Sequence, residues 1–321
     1  FKQVPMKYDL QKIEYKSYNS ELRNKINLVN SKNINLENFI RSIIPECLPV
    51  CFIESFENIL NLSEDKQLPK NPKLIFTSIS YAYDEFFKFY VAKNIKKKTK
   101  YFIGQHGNDY FSNFNLEEKI DLESANKFIS WGYKVNKNII QGFNFKVFKR
   151  KQNYNKKGNL LIISTPSLHR IFPYDTQYEF KNSLTNISIL KDRLKEEISK
   201  EITLKVDRDF KSKLGNYYKK NVLKNFKTNQ IIHDEIHFNK LITKSRLCIF
   251  NYNSTGLLEN LSLNVPTNII WSGVENNLNS EFKKKFSILR EIKILFDKTD
   301  ELAEHINNNW EDLNIWWSSK N

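Results

Sequence analysis

One short polar turn holds the residues best suited to bind a phosphate. An apolar strand is predicted to end at Asn251, the turn contains Asn253, Ser254, Thr255 and Gly256, and the predicted helix that follows carries Glu259. Helix N-termini attract phosphate through their backbone N–H groups, and hydroxyls add further donors. In open α/β sheets, ligands bind just beyond the carboxyl ends of strands. The turn is therefore a candidate phosphate-binding site, with an ordinary helix cap as the alternative.

Glu259 requires a different role from the hydroxyl residues around it. A carboxylate repels phosphate, but it can accept hydrogen bonds from ribose hydroxyls. The alternative is a solvated charge on the helix surface.

A second candidate turn follows another predicted strand and contains Gln105, His106, Gly107, Asn108 and Asp109. Glycines flank the Gln-His pair, so the backbone can approach a ligand closely. A histidine in such a loop can remove a proton from an acceptor hydroxyl because its pKa lies near neutral pH. We expect His106 to act as the base and Asp109 to orient it. A purely structural hydrogen bond is the alternative.

A third predicted strand end carries cations and carboxylates together. Lys205 and Arg208 could neutralise a donor phosphate and stabilise a leaving group. Asp207 and Asp209 form a pattern that holds a divalent metal in some proteins, but the adjacent basic residues oppose a metal cage. We therefore expect no metal here.

Two pairs of polar residues can be explained either by a functional role or by ordinary local structure. Ser164 and Thr165 follow a predicted strand, where they are expected to contact the donor, and a plain turn explains them equally well. Asp84 and Glu85 open a predicted helix, and capping of that helix accounts for them. A role as a base is the alternative.

Composition limits the class of protein. With 321 residues, of which 40% are hydrophobic, the chain can fold into one or two globular domains. No apolar run approaches the roughly 18 residues that suggest a membrane-spanning helix. The net charge of +15 suits nucleic acid, anionic lipid or a phosphorylated substrate. Lysine is spread along the chain without a nucleic-acid-binding module, so no nucleic-acid partner is expected.

The three cysteines, Cys47, Cys51 and Cys248, suggest no disulfide framework and are expected to be reduced, buried thiols. The sequence begins without an initiator Met, and we expect it to be a fragment that lacks an upstream region.

Short apolar runs alternate with longer segments of helical period, which predicts an α/β fold. Many of these runs are apolar at consecutive positions, as in parallel strands covered by helices on both faces. Ten runs suggest two doubly wound sheets. The runs are LPVCFIES, KLIFTSIS, KYFIGQHG, KFISWGY, NLLIISTPS, ITLKVD, NQIIHDE, RLCIFNYNS, TNIIWS and IKILFD.

A polar, basic stretch at residues 147–159 is the best linker candidate, and it predicts domains at 1–150 and 151–321. Residues 19–44 read as helix. The final segment is predicted to be a helix that packs Trp310, Trp316 and Trp317 onto the body.

Three segments together resemble a known family. The segments FIGQHGNDY, FISWGY and CIFNYNSTGLLENLSLNVPT resemble predicted bacterial surface-carbohydrate transferases with a Gln-His-Gly loop, over about residues 72–272. More distantly, they are similar to the CDP-glycerol glycerophosphotransferases of teichoic acid synthesis. The resemblance implies a GT-B-like fold: two Rossmann-like domains face a cleft, the C-terminal domain holds the donor, and usually no metal is essential.

The resemblance also implies roles for individual residues. It implies His106 as the base or acceptor-side catalytic group, with Ser254, Thr255, Gly256 and Glu259 as donor contacts. Two positions depart from the family pattern: Lys205 stands where an arginine is usual, and Gly107 is followed by Asn108 rather than a second glycine. The first departure replaces a guanidinium, which can form two parallel hydrogen bonds to phosphate, with a single ammonium group, and the second alters the shape of the loop.

The function that the resemblance implies is transfer of a sugar from a nucleotide-activated donor to a growing surface glycan, such as lipopolysaccharide or capsule. The expected partners are a nucleotide sugar and a glycan or lipid-linked acceptor, and no cofactor is expected. The expected location is the cytoplasm, with peripheral contact to anionic membrane. The alternatives are a CDP-alcohol phosphotransferase of the teichoic-acid type and a non-catalytic module that binds nucleotide sugar or polyanion.

Overall fold

The chain divides into two compact units. Unit 1 comprises Phe1–His106 and Lys119–Gly142, and unit 2 comprises Gly107–Glu118 and Phe143–Asn321. The computed structural model describes residues 16–29, 35–62, 68–108, 110, 117–134, 136–144, 147, 153–164, 177–206, 220, 223–232, 237–271 and 278–319.

Unit 1 contains a parallel sheet whose four strands lie side by side in chain order. Its strands are β1 (Leu74–Thr77), β2 (Lys100–Gly104), β3 (Lys127–Ser130) and β4 (Ile139–Gln141). The helices up to β4 are α1 (Ser20–Asn24), α2 (Leu36–Cys47), α3 (Phe56–Leu62), α4 (Ser80–Tyr83), α5 (Glu85–Ile95) and α6 (Glu117–Ser124).

Helix α5 begins at a side-chain cap and packs on this sheet. The Asp84 carboxylate accepts a hydrogen bond from the backbone N–H of Phe87 at 2.9 Å, which satisfies a donor that has no partner within the helix. The capping role predicted for Asp84 is therefore confirmed. Phe87 is buried, and its ring centroid lies 6.2 Å from that of Tyr101 on β2.

A buried ion pair holds α1 against the chain around α2. Arg23 donates to both carboxylate oxygens of Glu54 at 2.7 and 2.8 Å, and it also donates to the backbone oxygen of Pro45 at 2.6 Å. The hydrogen bonds from Arg23 lower the pKa of Glu54 to about 2. Each nitrogen of the guanidinium and each oxygen of the carboxylate has a hydrogen-bond partner, as charges buried away from water require.

The run LPVCFIES, predicted to be a strand, is a short 3₁₀ turn at Val50–Phe52. Its backbone bonds are local, since the N–H of Phe52 donates to Pro49 and that of Ile53 to Val50. The strand prediction was wrong here because apolar character alone does not create a neighbouring strand to pair with.

Unit 2 contains a six-stranded parallel sheet in the order β10-β9-β8-β5-β6-β7. From β5 the chain moves outward to β6 and β7, returns to β8 on the other side of β5, and moves outward again. This is the doubly wound Rossmann order, and it reverses direction between β5 and β8. The strands are β5 (Asn159–Ile163), β6 (Ile202–Lys205), β7 (Ile231–Ile232), β8 (Ser245–Phe250), β9 (Thr267–Ile270) and β10 (Leu295–Phe296).

Strands β8 and β9 are buried at every position, as the consecutive apolar residues predicted. Trp310, Trp316 and Trp317 are buried too, which confirms that the C-terminal segment packs back on the body. The helices of this part are α7 (Gln177–Arg193), α8 (Glu196–Lys200), α9 (Phe238–Ile242), α10 (Thr255–Ser262), α11 (Ser280–Glu291), α12 (Thr299–Asn309) and α13 (Leu313–Ser318).

The predicted α/β class with two parallel-sheet domains is confirmed. Cys51 and Cys248 are buried as expected, whereas Cys47 is exposed, because it lies at the end of α2. Within the described ranges, every helix is too short or too polar to cross a bilayer.

Candidate functional site

The turn after β8 starts helix α10 with a serine cap. Ser254 has extended backbone angles, φ −131° and ψ 156°, and its Oγ accepts a hydrogen bond from the N–H of Leu257 at 3.2 Å. Serine is favoured at this position because its short side chain reaches an N–H that lacks an acceptor within the helix. Ser254 therefore caps α10, and its role towards a phosphate stays a prediction.

Two residues from the loop after β2 contact the same turn, and both belong to unit 2. The backbone N–H of Asn108 donates to Thr255 Oγ1 at 3.1 Å, and Asn108 Nδ2 donates to Asn253 Oδ1. Gly107 is so close that a Cβ added to it would lie 3.1 Å from Thr255 Oγ1. The structure thus brings Gly107, Asn108 and Thr255 together.

Gly256 lies on the inner side of α10. A Cβ added there would lie 3.2 Å from the ring of Phe250 and 3.3 Å from that of Phe238. Close packing therefore accounts for this glycine, and a contact with the donor stays a prediction. Glu259, one turn along the helix, is half-buried.

The carboxyl ends of three adjacent strands carry candidate residues on one edge of the sheet. Ser164 follows β5, Lys205 ends β6, and the Ser254 turn follows β8. The N–H of Ser164 donates to the backbone oxygen of Lys205 at 3.2 Å, which joins the ends of β5 and β6. Ser164 is buried, and it lies where the direction of the sheet reverses. Reversal points of this kind are where α/β sheets bind ligands.

Gln105 and His106 belong to unit 1. The Gln105 N–H donates to Ile129 at 2.9 Å, and its Oε1 accepts from the N–H of Trp131 at 2.8 Å. Gln105 is buried and joins the ends of β2 and β3. His106 is half-buried. Asp109, Thr165, Asp207, Arg208 and Asp209 lie outside the described residues.

Sequence reasoning missed the part that Asn253 plays. Its side chain accepts from Asn108, which is 145 positions away in the chain. Asn253 is an ordinary turn residue in its own segment, and nothing local marks its partner. Its position in a polar turn after a buried strand was the one available signal.

Three known structures similar to this chain are glycosyltransferases of low sequence identity. The spinosyn rhamnosyltransferase SpnG, complexed with spinosyn aglycone, matches with TM-score 0.40 and 9% identity, covering 83% of this chain and 69% of that chain. WaaG, a glycosyltransferase involved in lipopolysaccharide biosynthesis, matches with TM-score 0.39 and 10% identity, covering 91% and 80%. The calicheamicin glycosyltransferase CalG4 matches with TM-score 0.37 and 10% identity, covering 88% and 80%.

None of the curated proteins matches this sequence significantly. A family model described as LIC12162 family transferase matches residues 1–321, which is the whole chain. The chain therefore belongs to the LIC12162 transferase family.

Proposed function

We propose that this transferase is a GT-B-like glycosyltransferase that moves a sugar from a nucleotide-activated donor to a growing surface glycan. The observation that carries the proposal is the reversal of strand order between β5 and β8, with Ser164 and the Ser254 turn at the carboxyl ends of those strands. Doubly wound sheets bind nucleotides at this point. The proposed donor site therefore lies in unit 2.

The hydrogen-bond polarity of the turn favours an anionic ligand. Ser254 Oγ accepts from Leu257, and Thr255 Oγ1 accepts from Asn108. A hydroxyl that accepts in this way keeps its own proton for donation to another group. The N–H groups of the first turn of α10 add partial positive charge. These donors would bind the donor diphosphate and stabilise the charge that develops as it leaves.

Other residues have roles in the same proposed reaction. Lys205 would supply positive charge from the end of β6, and Glu259 would accept hydrogen bonds from the ribose. His106 would take a proton from the acceptor hydroxyl, with Gln105 holding its loop. Arg208, Ser164 and Thr165 would complete the donor contacts, and Asp109 would orient His106.

Nucleotide binding tests the proposal directly. The nucleotides CMP, CDP, UDP and GDP, with their sugar and alcohol conjugates, would be screened for thermal stabilisation of the chain, since a ligand that binds only the folded state raises its melting temperature. We expect one nucleotide to stabilise the protein. The double variant Ser254→Ala/Thr255→Ala should lose this stabilisation. If no nucleotide stabilises the unmodified chain, the proposal is contradicted.

The choice of donor conjugate separates sugar transfer from alcohol-phosphate transfer. Selective stabilisation by a nucleotide sugar supports glycosyl transfer. Selective stabilisation by a CDP-alcohol would instead indicate that the enzyme transfers an alcohol phosphate. In either reaction, His106→Ala should abolish turnover while nucleotide binding persists, because the histidine is assigned to the acceptor.

A further inference from the structure

We propose that Asn108 is a positioning residue that sets the hydrogen-bond polarity of the donor-phosphate turn. The inference rests on the proposed function, because it concerns the same turn. Asn108 forms two hydrogen bonds to this turn and is the donor in both: its backbone N–H binds Thr255 Oγ1, and its Nδ2 binds Asn253 Oδ1.

In both hydrogen bonds, Asn108 donates and the turn accepts. A hydroxyl or an amide contains both acceptor and donor atoms, and only the donors attract a phosphate. Asn108 engages an acceptor atom of Thr255 and the acceptor atom of Asn253. The Thr255 proton and the Asn253 Nδ2 group are therefore directed away from Asn108. Phosphate oxygens only accept, so they match a turn with this polarity.

The close approach of Gly107 supports the same geometry. A Cβ at this position would lie 3.1 Å from Thr255 Oγ1, so a larger residue would have to displace that hydroxyl. Gly107 is buried and precedes Asn108 directly. Preorganised donors bind developing charge better than donors that must reorient, and Asn108 would preorganise this turn through Thr255 and Asn253.

Two substitutions of Asn108 distinguish polarity from simple packing. Asn108→Ala removes the side-chain bond. Asn108→Asp keeps the size of the side chain, but a carboxylate can only accept hydrogen bonds. To bind it, the Asn253 amide must rotate so that Nδ2 faces position 108. Asn253 Oδ1 then points away from position 108. If polarity matters, Asn108→Asp weakens diphosphate binding more than Asn108→Ala does. If Asn108 only supports the fold, Asn108→Ala lowers the stability of the chain but, below its melting temperature, binds diphosphate as tightly as the unmodified chain.

The experiment measures the dissociation constant of whichever of UDP, CDP and GDP stabilises the unmodified chain. Asn108→Ala should weaken binding about fivefold to tenfold, the equivalent of one hydrogen bond, and Asn108→Asp should weaken it further. Asn239→Asp, at an exposed position on α9, controls for the change in net charge and should stay within about twofold of the unmodified chain.

A second variant keeps the test decisive if Asn108→Asp does not fold. Asn253→Asp can still accept from Asn108 but replaces the Nδ2 donor with a carboxylate oxygen. Measured below its own melting temperature, this variant should bind diphosphate at least tenfold more weakly. Unchanged binding in Asn253→Asp, or an Asn108→Asp variant no weaker than Asn108→Ala, would overturn the inference.

The two proposals fail in different ways. If no nucleoside diphosphate binds the unmodified chain, or if Ser254→Ala/Thr255→Ala binds it normally, the proposed donor site is wrong. If that double variant loses binding while the Asn108 variants bind normally, the donor site stands and the role of Asn108 is refuted.

Discussion

His305 on α12 is a half-buried titratable side chain within an aromatic cluster. Its ring centroid lies 5.2 Å from that of Phe296 and 4.7 Å from that of Trp316. Burial, with a smaller contribution from the charge of Lys293, lowers the pKa of His305 to about 4. The unfolded chain has an ordinary histidine pKa of about 6.5, so it binds more protons than the folded chain between these values.

We expect stability to fall as the pH falls from about 6.5 towards about 4, because protons bind preferentially to the unfolded state in this range. His305→Phe should keep the aromatic contacts and make the dependence on pH shallower. Urea unfolding at several pH values between about 5 and 7, where few carboxylates titrate, measures both slopes. Equal slopes would show that His305 is not responsible.

At the scale of elements, the start of β5 lies very close to β8. A Cβ added to Gly158 would lie 2.4 Å from the backbone nitrogen of Arg246 and 2.7 Å from the backbone oxygen of Lys244. Backbone atoms of a central strand cannot move aside as a flexible side chain can. The pairing of β5 with β8 therefore depends on a glycine at this position.

Gly158→Ala should lower the free energy of unfolding by about 3 kcal/mol, since it forces these two strands apart. The exposed neighbour Lys157 provides the control, and Lys157→Ala should change stability by less than about 0.5 kcal/mol. Denaturant unfolding of both variants measures the difference. Similar stabilities for the two variants would mean that the strands adjust without strain.

The whole molecule carries a net charge of +15, which would attract anionic lipid over a range set by salt. We propose that the acceptor is lipid-linked and that the protein makes peripheral contact with the inner face of the cytoplasmic membrane. Each basic residue near an anionic surface contributes about 1 kcal/mol to such binding.

We expect the protein to float with vesicles that contain anionic lipid at low salt, and to be released at high salt because ions screen the attraction. Vesicles of neutral lipid are the control and should not bind it. Flotation that is absent at low salt, or insensitive to salt, would contradict an electrostatic attachment.

Local signals sufficed for much of the fold and part of the site. Consecutive apolar runs predicted the parallel strands of unit 2, because strands covered on both faces have no polar side. Ser254 and Asp84 were recognisable as caps, since a cap contacts backbone only a few residues away. By contrast, the strand β4 (Ile139–Gln141) was missed.

The sequence by itself determined the α/β class, the Ser254 turn and its position at the end of a buried strand. Only the tertiary structure decided the order of strands, which places β5 beside β8, and the contact of Asn108 with Asn253 and Thr255. The reason is physical: periodicity and capping depend on neighbours within a few residues. Strand order and distant hydrogen bonds depend on which segments the whole chain brings together.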